Sequence, residues 1–117
     1  MKTIELTENG VVAFITIRPA TASDELRREM LASAAFENPQ TDSVDQTLAV
    51  VFYPRCVACS DGTVAGLPVK ELKPADFSAL PGHIFNTWWS AVQELNPRWG
   101  LGKNQTPEQE ALNEKKE

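Results

Sequence analysis

The residues with the clearest chemical potential in this chain are two cysteines, Cys56 and Cys59, which lie in the stretch YPRCVACSDG. The C-x-x-C spacing occurs in redox-active dithiols, in halves of zinc sites and on buried helix faces. A redox dithiol stands at the start of a helix that follows a strand, whereas here apolar residues and Pro54 precede the pair. Zinc needs four ligands, and the only further conventional candidate is His83. The pattern favours thiols packed in the core, with a redox pair as the alternative.

No other group of residues forms a recognisable catalytic motif. His83, the single histidine, comes in the first turn of a predicted helix, without a local motif that supplies a nucleophile and an orienting carboxylate. The six glycines are dispersed, and the sequence contains no phosphate-binding G-x-x-x-x-G-K loop. We therefore predict a protein that is not an enzyme, with no catalytic residues, no cofactor and no metal ion.

The composition is that of an acidic globular protein. The chain has 117 residues, of which 42% are hydrophobic and 23% charged, and its formal net charge is −5. An acidic chain without a cluster of Lys and Arg does not attract a phosphate backbone, so nucleic acid is not an expected partner. The sequence holds no apolar run of about 18 residues and no signal-peptide pattern, so we expect neither membrane insertion nor export. The expected location is a reducing cytoplasm, where both cysteines stay as free thiols.

The elements that position these residues begin with a β-hairpin. Asn9-Gly10 supplies the positive-φ positions of a tight turn, and alternating β-branched residues flank it on both sides. Pro19 has no N–H to donate to a neighbouring strand, so it ends the second strand. The sequence therefore predicts a hairpin over residues 1–18.

A helix is predicted to follow the hairpin, over residues 21–36. Thr21 or Ser23 can cap its first turn, and acidic residues follow where the helix dipole favours negative charge. The spacing i, i+4, i+8 predicts one apolar face that packs on the core. That face consists of Leu26, Met30 and Ala34, with Leu31 at its edge.

The middle of the chain, residues 44–59, is apolar on nearly all sides and fits either a buried helix or a buried strand. Its length favours a helix, whereas the run Val-Val-Phe-Tyr favours a strand, and we predict a helix kinked at Pro54. Residues 60–63, Ser-Asp-Gly-Thr, are rich in turn-forming types and are interpreted as a turn. Residues 64–69 are interpreted as a loop that can include a short extended segment.

Two further helices are predicted before the chain becomes polar. Pro74 opens a short helix within residues 73–80, and Pro81 opens the last helix, which stops at Asn96-Pro97. The core stripe of that last helix consists of Ile84, Phe85, Trp88, Val92 and Leu95. Residues 101–117 hold few large apolar side chains and are predicted to be a disordered polar tail.

Together these elements predict an α+β fold. An N-terminal β-hairpin precedes a mainly helical part at residues 22–99, which contains three to four helices. The chain is long enough to bury a core without disulfides or metals, and we expect a single globular domain over residues 1–100.

Two tryptophans near the end of the last helix are the best candidates for contacts with a partner. Trp89 is rotated about 100° from Trp88 and falls at the edge of the core stripe, and Trp99 follows the helix-ending Pro97, beside Arg98. Large aromatic rings at such positions either form the rim of the core or anchor a binding partner, and Trp and Arg are enriched among interface anchors. We predict that Trp89, Trp99 and Arg98 contact a protein partner.

An ordered set of short segments resembles a known family. Ile17-Arg18-Pro19-Ala20-Thr21 precedes a charged helix, and the central segment is Tyr53-Pro54-Arg55-Cys56-Val57-Ala58. An F-x-x-L-P step at residues 77–81 and a W-x-x-A-V-x-x-x-N-P ending at residues 88–97 follow. This arrangement resembles the small tail assembly chaperones of long-tailed bacteriophages and prophages, over residues 17–99.

The resemblance implies a non-enzymatic protein made in the cytoplasm of a bacterial host during virion assembly. Such proteins keep the long, helical tape measure protein soluble and help tail tube subunits to polymerise around it. Either of these proteins is therefore an expected client, and self-association into a homo-oligomer is left open. The alternatives are a small cytosolic thiol-redox protein that uses the cysteine pair, and a minor structural or joining protein of the virion.

Overall fold

The computed structural model describes residues 1–100, and it confirms the predicted N-terminal hairpin. Strand β1, Lys2–Glu8, pairs with strand β2, Val11–Ile17, in antiparallel register. The turn between them has φ values of 51° at Asn9 and 80° at Gly10, the conformation that an Asn-Gly pair adopts readily. The predicted disordered tail, residues 101–117, lies outside the described residues.

Two more strands extend this hairpin into a four-stranded sheet of order β1-β2-β3-β4. Strand β3, Ser60–Val64, pairs antiparallel with β2, and the two-residue strand β4, Leu67–Pro68, pairs with β3. The prediction of a turn at residues 60–63 is therefore wrong, and strands interrupt the part predicted to be helical. The extended piece within residues 64–69 is present as β4.

Gly62 explains why the β3 segment was misinterpreted as a turn. It lies opposite Ile15 in the middle of the β2–β3 pair, with a φ of +120°. A Cβ atom at this position would stand 2.1 Å from the carbonyl oxygen of Phe14. The glycine therefore permits a close approach of two strand backbones instead of a chain reversal.

The rest of the described chain is mainly helical, and the predicted α+β class is confirmed. Helix α1 spans Ala22–Glu37, helix α3 spans Pro74–Ser78 and helix α4 spans Gly82–Leu95. Helix α2 consists of three consecutive sections, Ser43–Thr47, Leu48–Phe52 and Tyr53–Ala58. Short 3₁₀ turns at Val69–Glu71 and Pro97–Trp99 complete the described part, which thus contains four helices.

Helix α2 settles the choice between helix and strand for the central segment in favour of a helix. Its middle section, Leu48–Phe52, is π-helical, and the N–H of Tyr53 donates to the carbonyl oxygen of Leu48. Pro54 has no N–H, and its ring would collide with the carbonyl four residues earlier in a regular α-helix. The wider π turn before Pro54 accommodates that ring within a continuous helical path.

The core lies between one face of the sheet and helices α2 and α4. From the strands it takes Ile4, Ala13, Ile15, Ile17 and Val64, and from α2 Tyr53, Cys56, Val57 and Ala58. The predicted stripe of α4 is confirmed, with Ile84, Trp88 and Val92 buried and Phe85 and Leu95 half-buried. The Trp88 indole N–H donates to Ser60 Oγ at 2.9 Å, so the largest core side chain has its polar atom paired with β3.

Candidate binding surface

The two cysteines lie in the core, as the sequence predicts. Cys56 and Cys59 are both free thiols with no exposed surface. Burial raises the pKa of Cys56 well above its ordinary value, and burial likewise raises the pKa of Cys59 to about 11. Neutral, enclosed thiols are poor nucleophiles, so this geometry does not support the redox alternative.

Alkylation of the native protein at pH 7.5 is therefore expected to be slow. With a pKa of about 11 for Cys59, ionisation alone lowers its thiolate population roughly 100-fold relative to an ordinary cysteine, and burial limits access further. Mass spectrometry after timed iodoacetamide exposure measures the rate, and the same sample in guanidinium is the control. Rapid labelling of either cysteine in the native protein would contradict the core assignment.

Trp99, one of the three predicted partner contacts, is buried. Its ring is only 2% exposed, because the 3₁₀ turn at Pro97–Trp99 folds it back onto α1. The indole N–H donates to Glu25 Oε1 at 3.1 Å, and the guanidinium of Arg28 lies 5.1 Å from the ring centroid. Trp99 thus joins the end of the described chain to the first turns of α1 and is not free to meet a partner.

The other two predicted contact residues lie against different elements. Trp89 is half-buried, with its ring edge-on to Phe52 of α2 at a centroid distance of 5.2 Å. Arg98 is exposed over 82% of its side chain and forms an ion pair of 2.9 Å with Glu25. Of the three predicted residues, only Arg98 therefore presents most of its side chain to solvent, beside the start of α1.

The orientation of α1 is set by a buried carboxylate that the sequence marked only as an acidic residue of the first helical turn. Asp24 is 1% exposed and accepts hydrogen bonds from Nε and Nη2 of Arg18 at 3.0 and 2.8 Å. It also accepts from Arg27 Nη1 at 2.9 Å and closes a capping box with Thr21, confirming Thr21 as the N-cap. Burial by itself raises the pKa of Asp24, but the bonds from Arg18 and Thr21 outweigh it and leave that pKa lowered.

This anchor turns the predicted core face of α1 toward solvent. With Asp24 inside, helical periodicity brings Leu31 and Ala35 inward as well. Leu26 and Met30 are consequently 59% and 63% exposed. Ala34 is exposed too, so the prediction that these three residues face the core is wrong.

The exposed side of α1 forms a ridge with a shallow depression on each flank. One depression of about 500 Å³ is lined by Ser23, Leu26, Arg27, Met30 and Leu31. The other, of about 370 Å³, is lined by Leu26, Glu29, Met30, Ser33, Ala34 and Glu37. We call the residues within about 60° of Met30 around the helix axis the α1 surface, namely Ser23, Leu26, Arg27, Met30, Ser33, Ala34 and Glu37. The sequence signal that could have located it is the Thr21–Asp24 capping-box spacing with Arg18 nearby.

Other large apolar side chains are exposed away from this ridge. Val12 and Phe14 lie on the outer face of the sheet, Leu67 on β4, Phe36 on the flank of α1 and Val44 on α2. Single exposed apolar side chains are normal on protein surfaces. The α1 surface differs because a depression lies on either side of its two large side chains, which are one helical turn apart.

Within residues 1–100, no three side chains among His, Cys, Asp and Glu are grouped so that they could hold a metal ion. None of the helices in this part of the chain combines the length and apolar character needed to cross a membrane. Comparison of the chain with protein-family models, with curated proteins and with solved structures found no match.

Proposed function

We propose that this chain is a non-enzymatic binding protein that holds an amphipathic helix of a protein client against the α1 surface. The observation that supports this is the exposure of Leu26 and Met30 on a helix whose buried face is fixed by Asp24. A helix that only had to fold would bury its largest apolar side chains. Here Asp24 and Ala35 take the fully buried positions, and Leu26 and Met30 remain available to a partner.

The shape of the α1 surface favours a helix as the bound element. Residues four apart, Leu26 and Met30, form a ridge of the kind that fits into the groove of another helix, while the flanking depressions can accept that helix's own ridges. Covering the exposed parts of these two side chains would contribute roughly 1–2 kcal/mol each. Such modest anchors suit a complex that must later release its client.

The client class follows from the family resemblance. A tail assembly chaperone binds a long, helical tape measure protein in the cytoplasm of the bacterial host, and it also meets tail tube subunits. Among the residues that carry the resemblance, Asn96 stabilises the fold. Its Oδ1 accepts a hydrogen bond from the backbone N–H of Ala20 at 2.7 Å, and its Nδ2 donates to the carbonyl oxygen of Arg18 at 3.1 Å. We therefore propose the tape measure protein as the client on the α1 surface, with Arg98 as a contact beside the first turn of α1.

We expect Leu26→Ala and Met30→Ala each to weaken client binding by about 1–3 kcal/mol, or roughly 5- to 150-fold, because each removes a central apolar anchor. The assay is titration of the purified chain with helical segments of the tape measure protein encoded beside it. Both side chains are exposed, so thermal unfolding should change little.

The matched control is Phe36→Ala, which removes an equally exposed apolar ring from the flank of the same helix. This variant should bind like the parent. Equal losses for Phe36→Ala and Met30→Ala, or none for any variant, would contradict the assignment of the α1 surface. Recovery of the protein in finished virions would instead support a structural role.

A further inference from the structure

We propose that the α1 surface also binds the α1 surface of a second copy of this chain, with the two helices antiparallel about a two-fold axis at Met30. Two copies related in this way place residue i of one helix opposite residue 60 − i of the other. Every member of the α1 surface then faces another member of the same surface. The arrangement therefore buries the exposed ridge of each copy against that of the other.

Side-chain size matches in this register. Leu26 of each copy lies opposite Ala34 of the other, so a large side chain meets a small one on both sides of the axis. Met30 meets its own counterpart at the axis, and a flexible thioether adapts to such a contact. Arg27 lies opposite Ser33, which leaves room for its long side chain. Large-to-small pairing of this kind is what close packing of two helices requires.

Charge selects the antiparallel direction. Glu37, at the last turn of α1, is brought beside Ser23 in the first turn of the second copy, where the N-terminal end of the helix dipole favours a carboxylate. Arg27 of that copy comes from the adjacent turn, and its side chain is 38% exposed. A parallel pair would instead place Glu37 beside Glu37 and Arg27 beside Arg27, and like charges repel.

The contact is small, and this determines its strength. The 16 residues of α1 make a helix of about 24 Å, which buries less than the roughly 800 Å² per partner typical of stable interfaces. We therefore expect a reversible dimer that dissociates in the micromolar range, on the order of 10–100 μM. Such a dimer covers the surface assigned to the client, so client and second copy compete. That competition rests on the proposed function, whereas the dimer itself does not.

Cysteine cross-linking tests the axis directly. A residue on a two-fold axis meets its own copy, and a disulfide forms only when the two Cα atoms lie about 4.4–6.8 Å apart. Met30→Cys should therefore oxidise to a covalent dimer at least about 10-fold faster than Phe36→Cys, an exposed control on the flank of α1. The native cysteines do not interfere because they are buried. Equal rates for the two variants would overturn the proposal.

The unmodified chain gives an independent test. Sedimentation equilibrium from 5 to 500 μM should show a monomer–dimer equilibrium that Leu26→Asp abolishes. With methyl-labelled methionine the chain has only two signals, and dilution should shift that of Met30 while Met1 serves as internal control. A monomer throughout this range would overturn the proposal. The proposal would also be overturned if the chemical shift of the Met30 methyl group did not change on dilution but did change when residues 101–117 were removed. The chain's own end would then cover the surface.

These measurements separate the dimer from the proposed function. A monomer that still binds tape measure segments through Leu26 and Met30 would overturn the dimer and leave the client surface intact. A dimer that shows no affinity for such segments would sustain the self-association and count against the chaperone role.

Discussion

Replacing Gly62 with alanine is expected to destabilise the protein by about 3–5 kcal/mol, a large share of the total stability of a small domain. Two costs combine at this position. The backbone has a φ of +120°, which a residue with a Cβ atom adopts only with strain. The added Cβ would also stand 2.1 Å from the carbonyl oxygen of Phe14, so β2 and β3 would have to separate. The midpoint of thermal unfolding, followed by circular dichroism, should fall by more than about 10 °C.

Gly82→Ala is the matched control. Gly82 lies in the first turn of α4, its φ is not in the left-handed region, and a Cβ atom there has no neighbour within 4 Å. Alanine should therefore leave stability unchanged or raise it by up to about 1 kcal/mol, since it reduces the freedom of the unfolded chain. A Gly62→Ala variant as stable as Gly82→Ala would show that β3 does not pair with β2 in the described register.

Replacing Asp24 with asparagine is expected to cost about 2–4 kcal/mol. The substitution keeps the shape of the side chain but removes the charge that Arg18 binds through two nitrogens, and Arg18 is itself only 21% exposed. Breaking a buried ion pair leaves the remaining charge poorly compensated. Arg27 adds less because it is more exposed. Urea unfolding at pH 7 measures the loss.

The pH dependence of stability should change in the same variant. The pKa of Asp24 is lowered in the folded protein, so its ionised form stabilises the fold above about pH 4, the ordinary range of an unfolded aspartate. That contribution is lost as the pH falls through the lowered pKa. The parent should therefore lose stability below pH 4 more steeply than Asp24→Asn, whose side chain does not titrate.

Asp61→Asn is the control for this prediction, because Asp61 also pairs with Arg18 but is 57% exposed. An exposed ion pair contributes about 0–1 kcal/mol, so this variant should unfold close to the parent. If Asp24→Asn and Asp61→Asn cost the same, burial of Asp24 does not fix the orientation of α1 and the argument for an outward ridge fails.

The elements that local chemistry determines could be predicted from the sequence. Asn9-Gly10 marks the first hairpin unambiguously, because few residue pairs accept two positive φ values. The apolar residues of α4, centred on Trp88, recur with the helical period and are large. In the described part of the chain, no buried polar contact turns them away from the core. The cysteines could be assigned to the core because apolar residues and Pro54 precede the pair, unlike the strand-to-helix junction that activates a redox dithiol.

The features that the sequence did not predict depend on contacts that the local residue pattern does not show. Asp61-Gly62 has the composition of a turn, and only the neighbouring backbone of Phe14 reveals why a glycine is needed inside a strand. The apolar period of α1 points to Leu26 and Met30, yet the ion pair of Asp24 with Arg18 overrides it. The burial of Trp99 could not be predicted because its indole bonds Glu25, which lies 74 positions earlier in the chain.

The candidate site is for this reason the part that sequence reasoning could not place. A hydrophobic pattern shows that a helix has an apolar side but not where that side points. In this protein the position of Arg18, directly after strand β2, decides which side of α1 faces the core, because Arg18 bonds Asp24. The α1 surface can be located only once the ion pair between Asp24 and Arg18 is known.

The π turn at Leu48–Phe52 has a consequence for how chains of this fold can vary in length. A π turn holds one residue more than the α-helical turn it replaces, so it is equivalent to a single-residue insertion absorbed within a helix. Loss of that residue would close the turn without displacing Ser43–Thr47 along the axis, but it would set the ring of Pro54 against a carbonyl. Homologues that lack the extra residue are therefore expected to carry another amino acid in place of this proline.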